Sequence, residues 1–320
     1  MTPGAPLRVG DEVRDALEAG LGVVALETSV IGQGLPHPRN EECARRMSRA
    51  IRTAGAVPAW IGVADGEVVV GLGADEIARL ADPAGGATKV TRRDLPMAVA
   101  GRALGATTVG ATIWAATRAG VEVGATGGIG GVHPGPDAGA ELGRDAATVL
   151  GARGLDVSAD LLELARTPGL LVCSGPKSIV DPVATAERLE ELGVAVVGYG
   201  VVRLPLFLAR EASVDLEYRI GSPAEAAAIV RAARGLEVRS TVLLCNPVPA
   251  DAAMDPDEVA AAVAEAERRA GLEGARGPAR TPFLLAALAD ITGGRSLEAN
   301  LALLEDNARV AGLVAAAIAT

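Results

Sequence analysis

The sequence predicts an α/β protein with three layers, α/β/α, around a central mixed but mostly parallel sheet. Three observations carry that expectation. Short apolar runs alternate with helix-patterned segments of about ten residues along most of the chain, as βαβ units require. Aromatic residues make up only 2% of the chain while hydrophobic residues reach 49%, so the core must be built from Val, Leu, Ile and Ala, the filling of a sheet covered on both faces. The stretch "VPAWIGVADGEVVVGL" (57–72) sets Asp65-Gly66 between two apolar runs. That pair supplies the positive φ angles of a tight hairpin and makes the sheet mixed.

The elements follow in order. "GVVALETSVI" (22–31) reads as a buried strand and "NEECARRMSRAIRTAG" (40–55) as a helix with Asn40 as N-cap and Gly55 as its stop. After the hairpin come "ATKV" as strand, "DLPMAVAGRALG" as helix, "ATTVGA" as strand, "TIWAATRAG" as helix and "VEVGATGG" as strand. Ser158 opens a helix in "SADLLELART" (158–167), which leads into the strand "GLLVCSG". Asp181 followed by Pro182 caps "PVATAERLEELG", and the strand "AVVGYG" follows. Beyond the strand "STVLLCNP", Asp255, Pro256 and Glu258 start a long helix with capping-box logic, and the last forty residues are helical in pattern. No internal repeat is visible. The linker-like stretches 133–154 and 271–280 do not separate two cores, so residues 1–320 are expected to form one domain.

A net charge of −10 and a pI near 4.9 argue against nonspecific binding to nucleic acid or anionic membranes, which needs a basic field. Cys43, Cys173 and Cys245 lack metal-ligand spacing and read as reduced, buried thiols, fitting a cytoplasmic protein. The opening residues carry acids and no apolar signal core, and no run reaches the roughly 18 apolar residues of a membrane span. The cytoplasm is the expected location.

Parallel sheets place ligands beyond the carboxyl ends of their strands. Glu27, Lys89, "TGGIGG" (126–131) and Lys177 all fall late in a predicted strand or just after one. The plain alternative for Lys177 is a solvated lysine at a helix start. A cation there opposes the helix dipole, however, and a neutral amine, favoured by burial and by nearby Lys89, Arg92 or Arg93, would open Schiff-base chemistry. Glu27, inside an apolar run, is either half of a buried salt bridge or a general acid/base between apolar walls. The cations of "TKVTRRDLP" (88–96) are either a solvated face or a cradle for a phosphate monoester, with Lys89 as its contact. "TGGIGG" is not a dinucleotide fingerprint and signifies close backbone approach to a ligand. His37 and His133 are too few for a histidine-rich metal site. Asp156 and Asp160 flank Ser158 at a helix entrance, where they either cap the helix or offer one carboxylate to a water-rich Mg²⁺ or Mn²⁺.

As an ordered set, "ALETSVIGQGLPHPRN", "GAVPAWIGV", "TKVTRRDLP", "GATTV", "ATGGIGGVH", "DVSADLLELA", "VCSGPKSIVD", "NPVP", "TPFLL" and "GGRSLEANLALLEDNA" resemble the pseudouridine-5′-phosphate glycosidase family, from about residue 10 to the C-terminus. The resemblance implies a layered α/β/α enzyme, a homotrimer with one Mn²⁺ per subunit, that reversibly splits pseudouridine 5′-phosphate into uracil and ribose 5-phosphate. Its partners would be these small molecules, with no nucleic acid and no membrane. By position the resemblance makes Lys177 the nucleophile, Glu27 the proton donor and Asp156 the metal ligand. It places Lys89, Val109, Ser158, Ala159 and Asp160 in contact with substrate, and His133 and Asn300 in the pocket. The segment between His133 and Asp156 is longer than the family's usual loop, and Pro134 and Pro176 stand at positions where the family commonly has an arginine and a small residue.

The chemistry explains the pairing. A sugar joined to a ring carbon cannot lose its base without generating a poor carbanion. An amine adding at the anomeric carbon opens the ribose, and protonation of the pyrimidine carbon then lets the C–C bond break. Two other readings remain at this level. One is a related enzyme acting on another phosphorylated C- or N-nucleoside, and the other is a non-catalytic sugar-phosphate-binding protein.

Overall fold

The computed structural model describes residues 6–133, 157–275 and 280–319. β1 (Leu7–Val9) and α1 (Asp11–Glu18) precede β2 (Val23–Glu27), and a π-helical turn (Val30–Gly34) leads into α2 (Arg39–Thr53). The hairpin strands β3 (Val57–Ala64) and β4 (Glu67–Val70) are followed by α3 (Ala74–Ala81), β5 (Thr88–Val90), α4 (Leu95–Ala100), β6 (Gly105–Thr107), α5 (Val109–Arg118) and β7 (Val123–Ala125). Then come α6 (Ala159–Leu164), β8 (Gly169–Cys173), α7 (Pro182–Glu191), β9 (Val196–Tyr199), β10 (Tyr218–Ile220), α8 (Pro223–Gly235), β11 (Thr241–Cys245), α9 (Pro256–Glu273), α10 (Arg280–Ile291) and α11 (Arg295–Ala319).

The strands form one sheet in the order β1-β4-β3-β2-β7-β8-β11-β9-β10, with β6 pairing β3 and β5 in a side branch. Pairing is parallel except where β3 meets β4 and β6, so the sheet is mixed and mostly parallel as expected. Asp65 (φ 52°) and Gly66 (φ 90°) make the hairpin turn.

All five residues of β2 are buried, and their alternation divides the core. Val24 and Leu26 pack with Met47 and Ile51 of α2 and Leu303, Val310 and Val314 of α11 on one side. Val23 and Ala25 pack with Val13 and Ala16 of α1 and Ala111 and Ala115 of α5 on the other. A Cβ at Gly312 would lie 2.7 Å from the Ala54 Cβ, so glycine is what lets α11 and α2 come together.

Several sequence expectations need correction. Asn40 is not the cap of α2. It lies inside the helix, 3% exposed, and its Nδ2 donates to the Ile31 and Ala81 carbonyls at 2.8 Å each, tying the π-turn to α3. The strand expected across "ATTVGA" stops at Thr107, and Val109 already begins α5. Asp255 caps α9 through the amides of Asp257 and Glu258, but the Glu258 carboxylate reaches Arg295 of α11 instead of closing a capping box. Of the expected linkers, 271–273 continues α9, which Gly274 (φ 66°) ends, while 134–154 lies outside the described residues.

The three cysteines are free and buried. Burial pushes the Cys43 thiol up to about 12. Cys245 is raised first by its hydrogen bond with Cys173, its register partner on β8, and then by burial. No helix among the described residues is long and apolar enough to cross a membrane.

Candidate active site

Three neighbouring parallel strands, β2, β7 and β8, deliver the central groups from their carboxyl ends. Glu27 closes β2, residues 126–131 continue β7, and residues 174–181 continue β8. The last two segments remain zipped beyond the sheet. Ser174 N donates to the Gly127 carbonyl at 2.8 Å, Ile129 N to the Gly175 carbonyl at 3.1 Å and Lys177 N to the Ile129 carbonyl at 3.0 Å. Gly175 (φ 76°) makes that path possible, since a Cβ there would sit 1.9 Å from the Pro205 carbonyl oxygen. Asp181 caps α7 by accepting from Ala184 N at 2.9 Å, so Lys177 stands in the preceding loop and not in the helix's first turn.

These elements enclose a cavity of about 390 Å³ whose walls include Glu27, Lys89, His133, Asp160, Lys177 and Asn300. Ser158 and Ala159, at the entrance of α6, line it too. The glycines of "TGGIGG" serve both purposes that close approach can have. Gly127, Gly128 and Gly130 face the cavity, and a Cβ at Gly130 would lie 2.3 Å from the Ser158 Oγ.

Glu27 is 3% exposed and held by hydroxyls, not by a cation: Ser29 Oγ donates to its Oε2 at 2.5 Å, and Thr126 Oγ1 donates to its Oε1. No salt bridge involves it among the described residues. Asp160, also buried, spends both oxygens on backbone amides, accepting from Gly110 N at 2.9 Å and Gly130 N at 3.4 Å. It therefore fixes the start of α5 against the glycine loop as well as facing the cavity. Val109 does not reach the wall with its side chain, which packs with Ile113, Ile129 and Leu161; Thr108 lines the cavity there instead.

The cation cluster divides. Lys89 and Arg93 line the cavity, whereas Arg92 turns away, pairing with the buried Glu163 at 2.6 Å and lying over the Trp114 ring at 5.6 Å. Burial works against the Asp94 carboxylate, but hydrogen bonds from the Thr91 side chain and backbone, with the Arg93 cation, hold it below the usual aspartate range.

Several wall residues carry no mark in the sequence, Gln33 and Phe207 among them, whereas the lysine count does. Gln33 lines the cavity and donates from Nε2 to the Ala87 carbonyl at 3.1 Å, while its Oε1 is buried. Neither this oxygen nor the buried Asn300 Oδ1 has a donor among the described residues. Phe207 lines the cavity too, as does Thr126, the first residue of the glycine stretch. The count was legible from the start. Of 30 basic residues only two are lysines, Lys89 and Lys177, and both are in this cavity.

Asp156, expected as the metal ligand, lies outside the described residues. Among the described residues no group of three or more His, Cys, Asp or Glu side chains is arranged to hold a metal.

A lysine amine, a buried carboxylate and a cationic strand end in one cavity at the carboxyl edge of a parallel sheet define an α/β/α protein with a strand-end small-molecule site. Comparison with known proteins gives the family. Residues 12–317 match the family described as indigoidine synthase A like protein. The chain is 46% identical over 312 residues to pseudouridine-5′-phosphate glycosidase of Saccharopolyspora erythraea, covering 97% of each chain. It is 45% identical over 315 residues to the same-named protein of Chloroflexus aurantiacus, covering 98% of each. Among solved structures it is similar to the prealnumycin C-glycosynthase AlnA in complex with ribulose 5-phosphate, with a TM-score of 0.83 and 41% identity over 98% of this chain and 97% of that one. An indigoidine synthase A-like protein from Thermotoga maritima gives a TM-score of 0.85 and 35% identity, covering 99% and 97%. The chain belongs to the indigoidine synthase A like family and is related along nearly its whole length to the pseudouridine-5′-phosphate glycosidases.

Proposed function

We propose that this protein reversibly cleaves the C–C glycosidic bond of pseudouridine 5′-phosphate, giving uracil and ribose 5-phosphate. The observation that carries the reading is the placement of the chain's only two lysines in one cavity with a buried carboxylate. A chain that otherwise uses arginine for positive charge keeps a primary amine where an amine is needed for chemistry and for a phosphate. The names of its relatives support the substrate, and the sugar phosphate bound to the C-glycosynthase supports the ligand class.

In this mechanism the neutral Lys177 amine attacks C1′, and the bond from C1′ to the ring oxygen breaks, leaving an open-chain sugar whose O4′ takes the proton that the alkylated nitrogen loses. Glu27 then protonates the pyrimidine carbon that carries the sugar. The nitrogen lone pair forms the C1′=N bond as the C–C bond breaks, and that bond's electron pair returns to the pyrimidine. Water adds to the resulting iminium, releasing ribose 5-phosphate and regenerating the amine. Lys89 and Arg93 hold the phosphate, and Gln33 and Asn300 add polar side chains to the wall. His133, Ser158, Ala159 and Asp160 complete the wall, with Asp160 also fixing the loops.

Mn²⁺ at Asp156, a homotrimeric assembly and a cytoplasmic location belong to the same proposal. Chelation followed by metal add-back tests the first and light scattering tests the second. The functional test is chromatographic detection of uracil and ribose 5-phosphate from pseudouridine 5′-phosphate with Mn²⁺ present; no product from protein with an intact Lys177 would refute the reading. The C-glycosynthase likeness favours one second reading, a related enzyme using another phosphorylated C- or N-nucleoside, and a panel of nucleotide monophosphates separates the two. A non-catalytic sugar-phosphate binder would form no imine.

A further inference from the structure

Asn307 is fully buried on α11, two helical turns after the cavity residue Asn300, and reaches the site from behind. Its Nδ2 donates to the Thr126 carbonyl at 2.8 Å, to Ser174 Oγ at 3.1 Å and to the Gly127 carbonyl at 3.3 Å. Its Oδ1 accepts from Asn246 Nδ2 at 3.0 Å, and Asn246 donates from the same nitrogen to Asp306 Oδ2 at 2.8 Å. This fixes which end of the Asn307 amide faces which way, because two carbonyls on one side require a donor and the Asn246 amide on the other requires an acceptor.

The groups so joined belong to the two loops on which the proposed chemistry depends. Thr126 holds the Glu27 carboxylate with its hydroxyl, and Ser174 begins the loop that carries Lys177. From this geometry we infer that Asn307 is a positioning residue that sets the separation of proton donor and amine by holding their supporting loops in one register. The inference rests on the reading that Glu27 and Lys177 serve one substrate. Asn307 touches neither group directly. Its effect passes through Thr126 on one side and Ser174 on the other. A rigid bracket of this kind matters because misplacing reacting groups by about 1 Å can cost around 100-fold in rate.

The test compares wild type, Asn307→Leu, Thr126→Val and the double variant. Asn307→Leu is expected to lower kcat for pseudouridine 5′-phosphate cleavage by about 10- to 100-fold while changing KM by less than about threefold. In the Thr126→Val background, where the hydroxyl tie to Glu27 is already gone, the same substitution should cost much less. Equal losses in both backgrounds, or a loss confined to KM, would overturn the inference. If Asn307→Leu does not fold, Ser174→Ala removes one partner only and is expected to lower kcat by about 3- to 10-fold, with unchanged kcat overturning the inference. Hydrogen exchange gives a readout independent of substrate. Asn307→Leu, or Ser174→Ala, should accelerate exchange in segments 126–131 and 174–181 and leave the sheet edges unchanged. Accelerated exchange at those loops in a protein whose wild type does not cleave pseudouridine 5′-phosphate would refute the substrate and leave the bracket standing. Unchanged exchange would refute the bracket.

Discussion

Replacing Glu27 by glutamine separates the two halves of the proposed reaction. Glutamine matches glutamate in size but has no proton to give, so the perturbation is chemical. The Glu27 oxygens accept from the Ser29 and Thr126 hydroxyls, and the glutamine amide would turn its nitrogen toward one of them. That hydroxyl rotates to accept instead of donate, so the cost in stability is that of weakening one hydrogen bond, about 1 kcal/mol. Losing a positioned general acid costs about 10²- to 10⁴-fold in rate, or about 3–5 kcal/mol in the barrier. The assay has two arms: uracil release from pseudouridine 5′-phosphate, and borohydride trapping of ribose 5-phosphate on Lys177. Glu27→Gln is expected to lose the first and keep the second, because imine formation from free ribose 5-phosphate needs no proton on uracil. Turnover within about threefold of wild type would refute the assignment of Glu27, and loss of both arms would show that Glu27 serves binding or folding instead.

The cations of 88–96 should part company on substitution. Lys89→Met is expected to raise KM for the phosphorylated substrate by about 10- to 100-fold, the worth of a charge-assisted hydrogen bond. Arg92→Leu should leave KM unchanged but lower stability by about 2 kcal/mol in chemical denaturation, since it strands the buried Glu163 carboxylate with Thr167 alone while Arg92 itself is 44% exposed. Gly130→Ala puts a Cβ 2.3 Å from Ser158 Oγ and 3.2 Å from Asp160 Oδ2, and is expected to cost about 1–3 kcal/mol and to weaken sugar-phosphate binding measured by calorimetry. Hydrogen bonds from Arg268 and Arg269 hold Glu265 down to about 2 from an ordinary value of 4.5. A carboxylate depressed in the folded state contributes its stability above the unfolded value and loses it as pH falls toward the folded one, so melting temperature should drop between pH 4.5 and about 2. That drop should be smaller in Glu265→Gln. An unchanged acid profile would contradict the pairing.

Much of the architecture was legible because burial on both faces leaves a plain mark. β2 and β8 read as apolar runs, and the carboxylate and amine at or beyond their ends stood out against them. Asp65-Gly66 declared the hairpin because few other pairs tolerate its backbone. The edge strands β1 and β10 were not legible, since their half-exposed residues leave no apolar run to mark them. Asn40 misled because the side chain that caps a helix can equally bridge two carbonyls elsewhere in the fold. Gln33 and Asn307 were hidden for a related reason. Their amide orientations are set by the carbonyls of Ala87, 54 residues away, and Thr126, 181 residues away, and no local pattern records either. The arginine at position 92 could be assigned only once Glu163 and Trp114 were in place around it. The lysine count, by contrast, needed no structure at all.

Reductive trapping asks most directly whether Lys177 is the nucleophile. The protein is incubated with ribose 5-phosphate and borohydride, digested, and its two lysine-containing peptides are weighed. A stable sugar-phosphate adduct on Lys177, absent from Lys89, is the expected result. An unmodified Lys177 in protein that cleaves pseudouridine 5′-phosphate, or an adduct on Lys89 alone, would contradict it.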